Sequence, residues 1–207
     1  MTMATAPLKS SESSRELETG RKAQIYRAAA ELIVQKGLDA TSMNDIAKAV
    51  DLTKPGLYHY ITGKKDLLFS IMQFAMDTVE SLVVEPARSI KDPEECLRFI
   101  LERHAGMTEY VREITILADE LPALTQEHRE HIVARKRRYL EFLRETLRGL
   151  KYQGKLRDLD VDIAALNAFA TIIGISRWFD PLGKLTAEQV TQETSQFILG
   201  ALLVDRT

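Results

Sequence analysis

Apolar residues recur at helical spacing along almost the whole chain, and no segment alternates apolar with polar residues as a half-buried strand would. That property restricts the fold to packed helices, all-α, and start and stop signals divide the sequence into about nine of them. Ile25, Ala28, Ala29, Leu32 and Ile33 form one apolar stripe and predict a first helix over about 19–36, with Gly37 where a left-handed cap belongs. Ser42 and Asp45 have capping-box spacing ahead of a short helix, about 43–50, that turns Ile46, Ala47 and Val50 inward. Thr53 caps a third, about 54–61, in whose first turn Pro55 is tolerated. A fourth runs from about Lys64 into the low eighties and ends before Pro86.

The later helices are punctuated just as clearly. Asp92-Pro93-Glu94-Glu95 reads as N-cap, N1 proline and acidic first turn for a helix reaching about Met107. Another, about 109–120, stops before Pro122. Thr125 opens a long helix to about Gln153, closed by Gly154, and Asp160 opens one over about 161–179. Thr186 and Gln189 form a second capping box for the last, about 187–204. The polar, Ser-rich residues 1–17 read as a disordered arm. Residues 18–66 form a helix-turn-helix unit and 67–207 a larger helical unit.

Composition excludes several classes. With 207 residues the chain buries a sizeable core without a staple, and Cys96, its sole cysteine, rules out an intramolecular disulfide. A net charge of −2 rules out a uniformly basic coat, although residues 1–66 are slightly basic and the remainder slightly acidic. No apolar run approaches the ~18 residues of a membrane span. The N-terminus lacks the apolar core of a secretory signal, so a cytoplasmic protein with no membrane partner is expected.

The second and third helices are joined at Asp51-Leu52, too tight a turn for anything but a steep crossing. One short helix braced by another is what entry into a major groove ~12 Å wide demands. Leu57 and Ile61 anchor the third helix, and Lys54 carries charge at its tip. Gly56 lets backbone approach a duplex closely. Tyr58, His59 and Tyr60 offer donors for phosphates and apolar surface for thymine methyls, and Lys64 begins the next helix at an anion-binding position.

The stretch from Gly37 to Ala47, with Thr41-Ser42 before Asp45-Ile46-Ala47, and the stretch Lys54-Pro55-Gly56-Leu57-Tyr58-His59-Tyr60 through Lys64-Lys65-Asp66-Leu67-Leu68 resemble the TetR-type transcriptional repressors. The resemblance covers about a quarter of the chain. It implies a homodimer with an N-terminal DNA-binding unit and a C-terminal ligand-binding and dimerisation unit. By position it implies DNA contacts from Ser42, Lys54, Gly56, Tyr58, Tyr60 and Lys64, with His59 at a further contact position. Many members carry Arg where this chain has Asn44; Asn prefers adenine where Arg reads guanine, so the half-site differs or this position reads no base.

The last two helices are apolar on more than one face. Ile163, Leu166, Phe169 and Ile172 cover most of one, and Phe197, Ile198, Leu202 and Leu203 most of the other. A self-complementary contact between copies would bury the surplus, with Gly174, Gly200 and Ala201 allowing close approach. The segment from Trp178 to Glu188 resembles a TetR branch governing lipid, sterol or acyl-CoA catabolism. That resemblance implies a long apolar effector such as an acyl-CoA, bound among the middle helices. Met107, Tyr110, Tyr139, Phe142, Asn167, Thr171 and Trp178 are the expected lining, apolar walls with a few polar handles.

Other features have plainer readings. His128 and His131 beside Glu127 and Glu130 make a polar helix face rather than a metal site. Arg135-Lys136-Arg137-Arg138 reads as a solvated face, with a nucleic-acid patch or an anion site for a ligand phosphate as alternatives. No His has Glu three residues before it, and no nucleophile–base pair or phosphate-cradling loop is present, so neither enzyme, cofactor nor metal is expected. The alternative to a ligand-responsive repressor is a helical ligand carrier that does not bind DNA.

Overall fold

The structure is a computed structural model that describes the backbone of residues 9–204 and the side chains of residues 20–204. Among these residues the helices are α1 (Lys9–Lys36), α2 (Met43–Ala49), α3 (Lys54–Tyr58) and α4 (Lys64–Ala87), followed by α5 (Pro93–Ala105), α6 (Val111–Asp119), α7 (Gln126–Tyr152), α8 (Val161–Trp178) and α9 (Ala187–Leu202). The contact pattern divides the chain into two compact units at Ser70 and Ile71, within α4.

Local chemistry explains most boundaries. Backbone N–H groups donate to side-chain oxygens of Thr53, Asp92, Thr125 and Asp160 at the starts of α3, α5, α7 and α8. Complete capping boxes start α2, at Ser42 and Asp45, and α9, at Thr186 and Gln189. Three boundaries differ from the sequence reading. α1 begins at Lys9, not near residue 19, because the Ser-, Glu- and Arg-containing stretch after Lys9 holds no proline or glycine before Gly20. The first eight residues of the expected arm lie outside the described residues. α3 closes at Tyr58 because the Tyr60 N–H bonds the Leu57 carbonyl, an i+3 bond that tightens the turn. α4 passes Pro86 because Glu80–Val84 form a π turn, in which the Glu85 N–H bonds the Glu80 carbonyl, and Pro86 lies in the first turn after it.

In the N-terminal unit Ile25, Ala29, Ala30, Ile46, Leu57, Leu67 and Leu68 are fully buried. α2 ends in a Schellman turn: the Asp51 N–H bonds the Lys48 carbonyl and the Leu52 N–H the Ala47 carbonyl. Asp51 is the sole non-glycine residue with positive φ among those described, at 52°. That turn reverses the chain between α2 and α3.

In the C-terminal unit α7 packs against α5 and α8, α9 against α5, and α6 against α8. Leu97, Ile100 and Leu101 of α5 meet Leu143, Leu147 and Leu150 of α7 in a core closed by Ala165 and Leu202. Gly149 lets α5 come close, since a Cβ there would lie 3.1 Å from Pro93 Cβ. Outside this core, Ile163 (62 % exposed), Leu166 (51 %) and Phe197 (69 %) leave an apolar face on α8 and α9. A Cβ added at Gly174 or Gly200 would meet nothing within 4 Å beyond its own turn of helix.

The expectation that no segment is apolar enough to cross a membrane needs correction. By length and composition two helices are, Lys64–Ala87 and Val161–Trp178, with mean hydropathies of 1.5 and 1.2. Half of the apolar window in α4 is buried inside the protein, and much of the α8 window is the exposed face just described.

Asp51 generates the first test. A β-branched residue in the left-handed region pays roughly 1–2 kcal/mol. Asp51→Val is expected to lower stability by about that amount, whereas Asp51→Gly changes it by less than about 0.5 kcal/mol, conformational relief being offset by chain entropy. Urea denaturation followed by circular dichroism checks both.

Candidate nucleic-acid interface and ligand cavity

The N-terminal unit presents its expected DNA-contacting residues on α2, α3 and the start of α4. Ser42 begins α2, and its Oγ donates to Asp45 Oδ2 at 2.8 Å while accepting the Asp45 N–H at 3.2 Å. These bonds to Ser42 hold the Asp45 carboxyl below its usual pKa. Asn44 is exposed in the first turn of α2. Lys54, Tyr58 and His59 are exposed on and just after α3, and Tyr60 is half-buried. Leu57 and Ile61 turn inward as anchors, 0 and 5 % exposed. Lys64 is half-buried and donates to the Asp39 carbonyl at 3.2 Å, tying α4 to the loop after α1.

Gly56 has an intramolecular role that sequence reasoning missed. Its N–H donates to the capping Thr53 Oγ1 at 3.1 Å, and a Cβ at this position would stand 3.2 Å from the same oxygen. The glycine therefore makes room for the cap of its own helix. The signal was present in the T-x-x-G spacing after Asp51-Leu52.

The C-terminal unit holds a half-open cavity of about 310 Å³. Its walls are apolar: Met76 and Val79 from α4, Ile114 and Leu117 from α6, Val133 and Leu140 from α7, and Phe169 and Ile173 from α8. Its most buried polar groups are His104 and Tyr139. His104 Nδ1 lies 3.1 Å from Tyr139 Oη, and the Phe169 ring meets the Tyr139 ring edge-on at 4.6 Å. Burial pushes the imidazole down to about 4, so it is neutral near neutral pH; burial raises the Tyr139 phenol above its ordinary range. At the more exposed border stand Lys136 and Arg137. Lys136 Nζ donates to the Leu117 carbonyl at 3.4 Å, and burial lowers its pKa against the opposing charge of Asp119.

Of the expected pocket residues, Tyr139 lines this cavity. Met107 is buried and borders a much smaller space nearby with His104 and Ile172. Tyr110 packs against Phe74, ring centroids 6.3 Å apart, and Phe142 lies under the Arg88 guanidinium at 4.9 Å. Asn167 and Thr171 line a separate groove of about 540 Å³ with Phe197 and Ala201, between α8 and α9. Trp178 is 54 % exposed and borders none of these spaces. The basic run on α7 is not one solvated face. Arg135 is buried and bonds Glu80 through both its Nε and an Nη, at 3.0 and 2.7 Å, and Asp77 at 2.6 Å. Lys136 and Arg137 border the cavity, and Arg138 borders a polar pocket with Glu80, Glu85 and Arg88.

Comparison with known proteins agrees with this division. Residues 25–71 match the family described as bacterial regulatory proteins, tetR family, and residues 91–202 match the tetracyclin repressor-like C-terminal domain. The HTH-type transcriptional repressor KstR2 of Mycobacterium tuberculosis is 25 % identical over 185 residues, spanning 88 % of this chain and 92 % of that protein. Its solved structure, a ketosteroid transcriptional regulator, superposes with a TM-score of 0.81 over 89 % of this chain and 96 % of that one. AibR, solved in complex with isovaleryl coenzyme A and operator DNA, is 36 % identical with a TM-score of 0.76, covering 86 % of this chain and 97 % of that one. PfmR from Thermus thermophilus is 32 % identical with a TM-score of 0.78, covering 88 % of this chain and all of that one, 100 %.

His104 gives a pH dependence of known sign. It titrates at about 4 in the folded chain against 6.5 for an ordinary histidine, so between these values the unfolded chain binds more protons. The group leaves stability untouched above about 6.5 and lowers it as the pH falls toward about 4, by roughly 3 kcal/mol over the whole interval. Denaturation at a series of pH values is expected to show this slope in the native chain. His104→Gln, which retains a hydrogen-bonding side chain but does not titrate, is expected to flatten it.

Proposed function

The chain belongs to the TetR family of ligand-responsive, DNA-binding transcriptional regulators, and from that premise we propose that it represses transcription by binding a palindromic operator as a homodimer and releases it when a small apolar effector, such as an acyl-CoA, fills the C-terminal cavity. DNA as its ligand puts its site of action in the cytoplasm. The observation that carries the reading is the apolar cavity itself, in a chain that also carries a helix-turn-helix. The likeness to AibR supports a thioester effector. Lys136 and Arg137 at the cavity border supply positive charge for the phosphates of such a molecule.

On the DNA side, α3 enters the major groove. Tyr58 and His59 meet bases or phosphates from its exposed side, with Tyr60 at its edge. Lys54 and Lys64 neutralise phosphates, and Ser42 and Asn44 approach from α2. Gly56 lets the α3 backbone lie close. Ser42 and Lys64 already hold internal partners, so their DNA contacts share or exchange those bonds. The apolar face of α8 and α9 meets the same face of a second copy, which sets the two recognition helices ~34 Å or a multiple of it apart. Release then requires that the effector bind one spacing of those helices better than the other.

Selection of bound sequences from a random DNA pool is the direct test, and a palindromic consensus is the expected result. On that operator, Lys54→Ala is expected to reduce the slope of log affinity against log salt by about one, as one lost phosphate contact requires. Tyr58→Ala weakens binding roughly tenfold without dissociating the dimer. Fluorescence anisotropy at several salt concentrations separates the two. For the dimer, Phe197→Glu places a charge on the exposed α9 face without touching the core. Sedimentation is expected to show a folded monomer, and operator binding to fall with it.

A further inference from the structure

Taking the homodimer proposed above as the working form, we infer that each cavity is shared between subunits: Trp178 of one copy seats on Ile163 and Leu166 of the other and closes the open side of that copy's cavity. The cavity is half open, and its walls are almost wholly apolar. Among its apolar lining residues Leu166 alone is exposed, at 51 %. The opening therefore runs past Leu166, along the outer side of α8. An apolar ligand there stays partly in water unless something apolar covers the opening. Within its own described residues the chain supplies no such cover.

The outer face of α8 carries the cover for a second copy. Ile163, Asn167, Ala170, Gly174 and Trp178 recur at helical spacing, one stripe ~22 Å long at 1.5 Å per residue. Leu166 lies between this stripe and the inward-facing Phe169 and Ile173, so it belongs to the face and to the cavity. The stripe ends in two large exposed apolar side chains, Ile163 and Trp178. Between them stand Ala170 and Gly174, and a Cβ added at Gly174 would meet nothing beyond its own turn of helix. A two-fold contact pairs one residue with a second and that second with the first. With the axis at the midpoint of the stripe, beside Ala170, two copies of α8 run antiparallel and Trp178 of each falls on Ile163 of the other. The small residues between them let the helices approach. Leu166, one turn from Ile163, then lies under the rest of the indole. The flanking charges do not oppose this contact. Asp162 Oδ1 lies 2.7 Å from Arg144 Nε, and Arg177 pairs with Asp119, so covering them leaves no bare charge. An occupant of one cavity then touches the other subunit, which couples its binding to the subunit contact.

The test uses the full-length protein, with its one tryptophan as reporter and N-phenyl-1-naphthylamine, a neutral apolar dye, as the probe. In the native dimer Trp178 is expected to emit as a buried indole and to resist quenching by acrylamide. In the monomeric Phe197→Glu variant it is expected to emit as an exposed one and to be quenched readily. Trp178→Ala is expected to weaken dye binding about fivefold, as truncation of a tryptophan anchor does. Ile163→Ala, which changes the receiving face and no cavity-lining residue, is expected to weaken the dye and to expose Trp178, so it serves should Trp178→Ala fail to fold. Mixed dimers separate the two subunits' roles. One chain carries Trp178→Ala, and the other carries Ala118→Phe, which fills its own cavity. Isolated through two different tags, these dimers are expected to hold one tight dye site each, because the open cavity of the first chain is covered by the tryptophan of the second. A tryptophan acting within its own chain leaves them no tight site, and that result would overturn the inference. So would a native dimer whose Trp178 is quenched as readily as in the monomer, which would leave the dimer itself standing. A native protein that sediments as a monomer refutes the dimer and the shared cavity together. A native dimer that takes up no dye refutes the cavity as a binding site, and the shared site with it.

Discussion

The hydrogen bond between His104 and Tyr139 joins α5 to α7 where the apolar core of the C-terminal unit gives way to its cavity. Each partner would be costly to bury alone, since an unpaired polar group in the interior forfeits its hydration without return. Paired, they stand beside cavity walls made largely of Met, Val, Ile, Leu and Phe side chains. The neighbours are consistent with this. Leu97, Ile100 and Leu101 precede His104 on α5, and Leu143 and Leu147 follow Tyr139 on α7, so the same helix–helix contact that builds the core presents the pair. Close approach of these helices depends on small volume elsewhere along the contact, notably Gly149 against Pro93.

The N-terminal unit solves a different problem, that of holding a five-residue helix in place. So short a helix is unstable alone, since nucleation costs more than its few bonds return. α3 survives because every free end is occupied. Thr53 caps its first turn, Leu57 and Ile61 anchor it, and the Schellman turn at Asp51 fixes its start relative to α2. Only then do Lys54, Tyr58 and His59 face outward from a defined platform. The hydroxyl of Ser42 and the ammonium of Lys64 are drawn into the same local scaffolding, so residues that resemble DNA contacts are also structural. Sequence alone does not separate those two roles, because one side chain serves both.

What was legible in the sequence was what is local. Caps at Ser42, Thr53, Asp92, Thr125, Asp160 and Thr186 depend on residues two or three positions apart, and all of them form. The helical stripes likewise follow from spacing, and they yield the all-α architecture. The cavity was not legible because it is a property of five helices at once, α4 to α8. Asn167 and Thr171 have the right chemistry for a pocket, yet they line the groove between α8 and α9 and not the cavity. Phe169 and Ile173, on the same helix, are the ones that face inward to it. Helical phase distinguishes the two sets, but α8 is apolar on more than one face, so phase could not be assigned without its neighbours. His104 passed unnoticed for a related reason: a lone histidine in a stripe of leucines carries no signal until its partner, Tyr139 on another helix, is known.

The basic run on α7 shows how packing divides a motif that is continuous in sequence. Consecutive helical residues point about 100° apart, so four in a row must face different environments. Arg135 turns into α4, where Asp77 and Glu80 receive its guanidinium and its bond holds the Glu80 carboxyl below its usual pKa. These carboxylates remain partly exposed, at 69 and 31 % for their side chains, which tempers the desolvation that makes fully buried pairs expensive. The clamp sits immediately before and at the start of the π turn over Glu80–Val84. Met76 and Val79, which border the cavity, occupy the same stretch of α4. An occupant pressing on Met76 and Val79 therefore meets a helix held by ion pairs on one side and by an irregular turn just beyond. Displacing this stretch of α4 relative to α7 would have to carry Arg135 with it or break its bonds to Asp77 and Glu80.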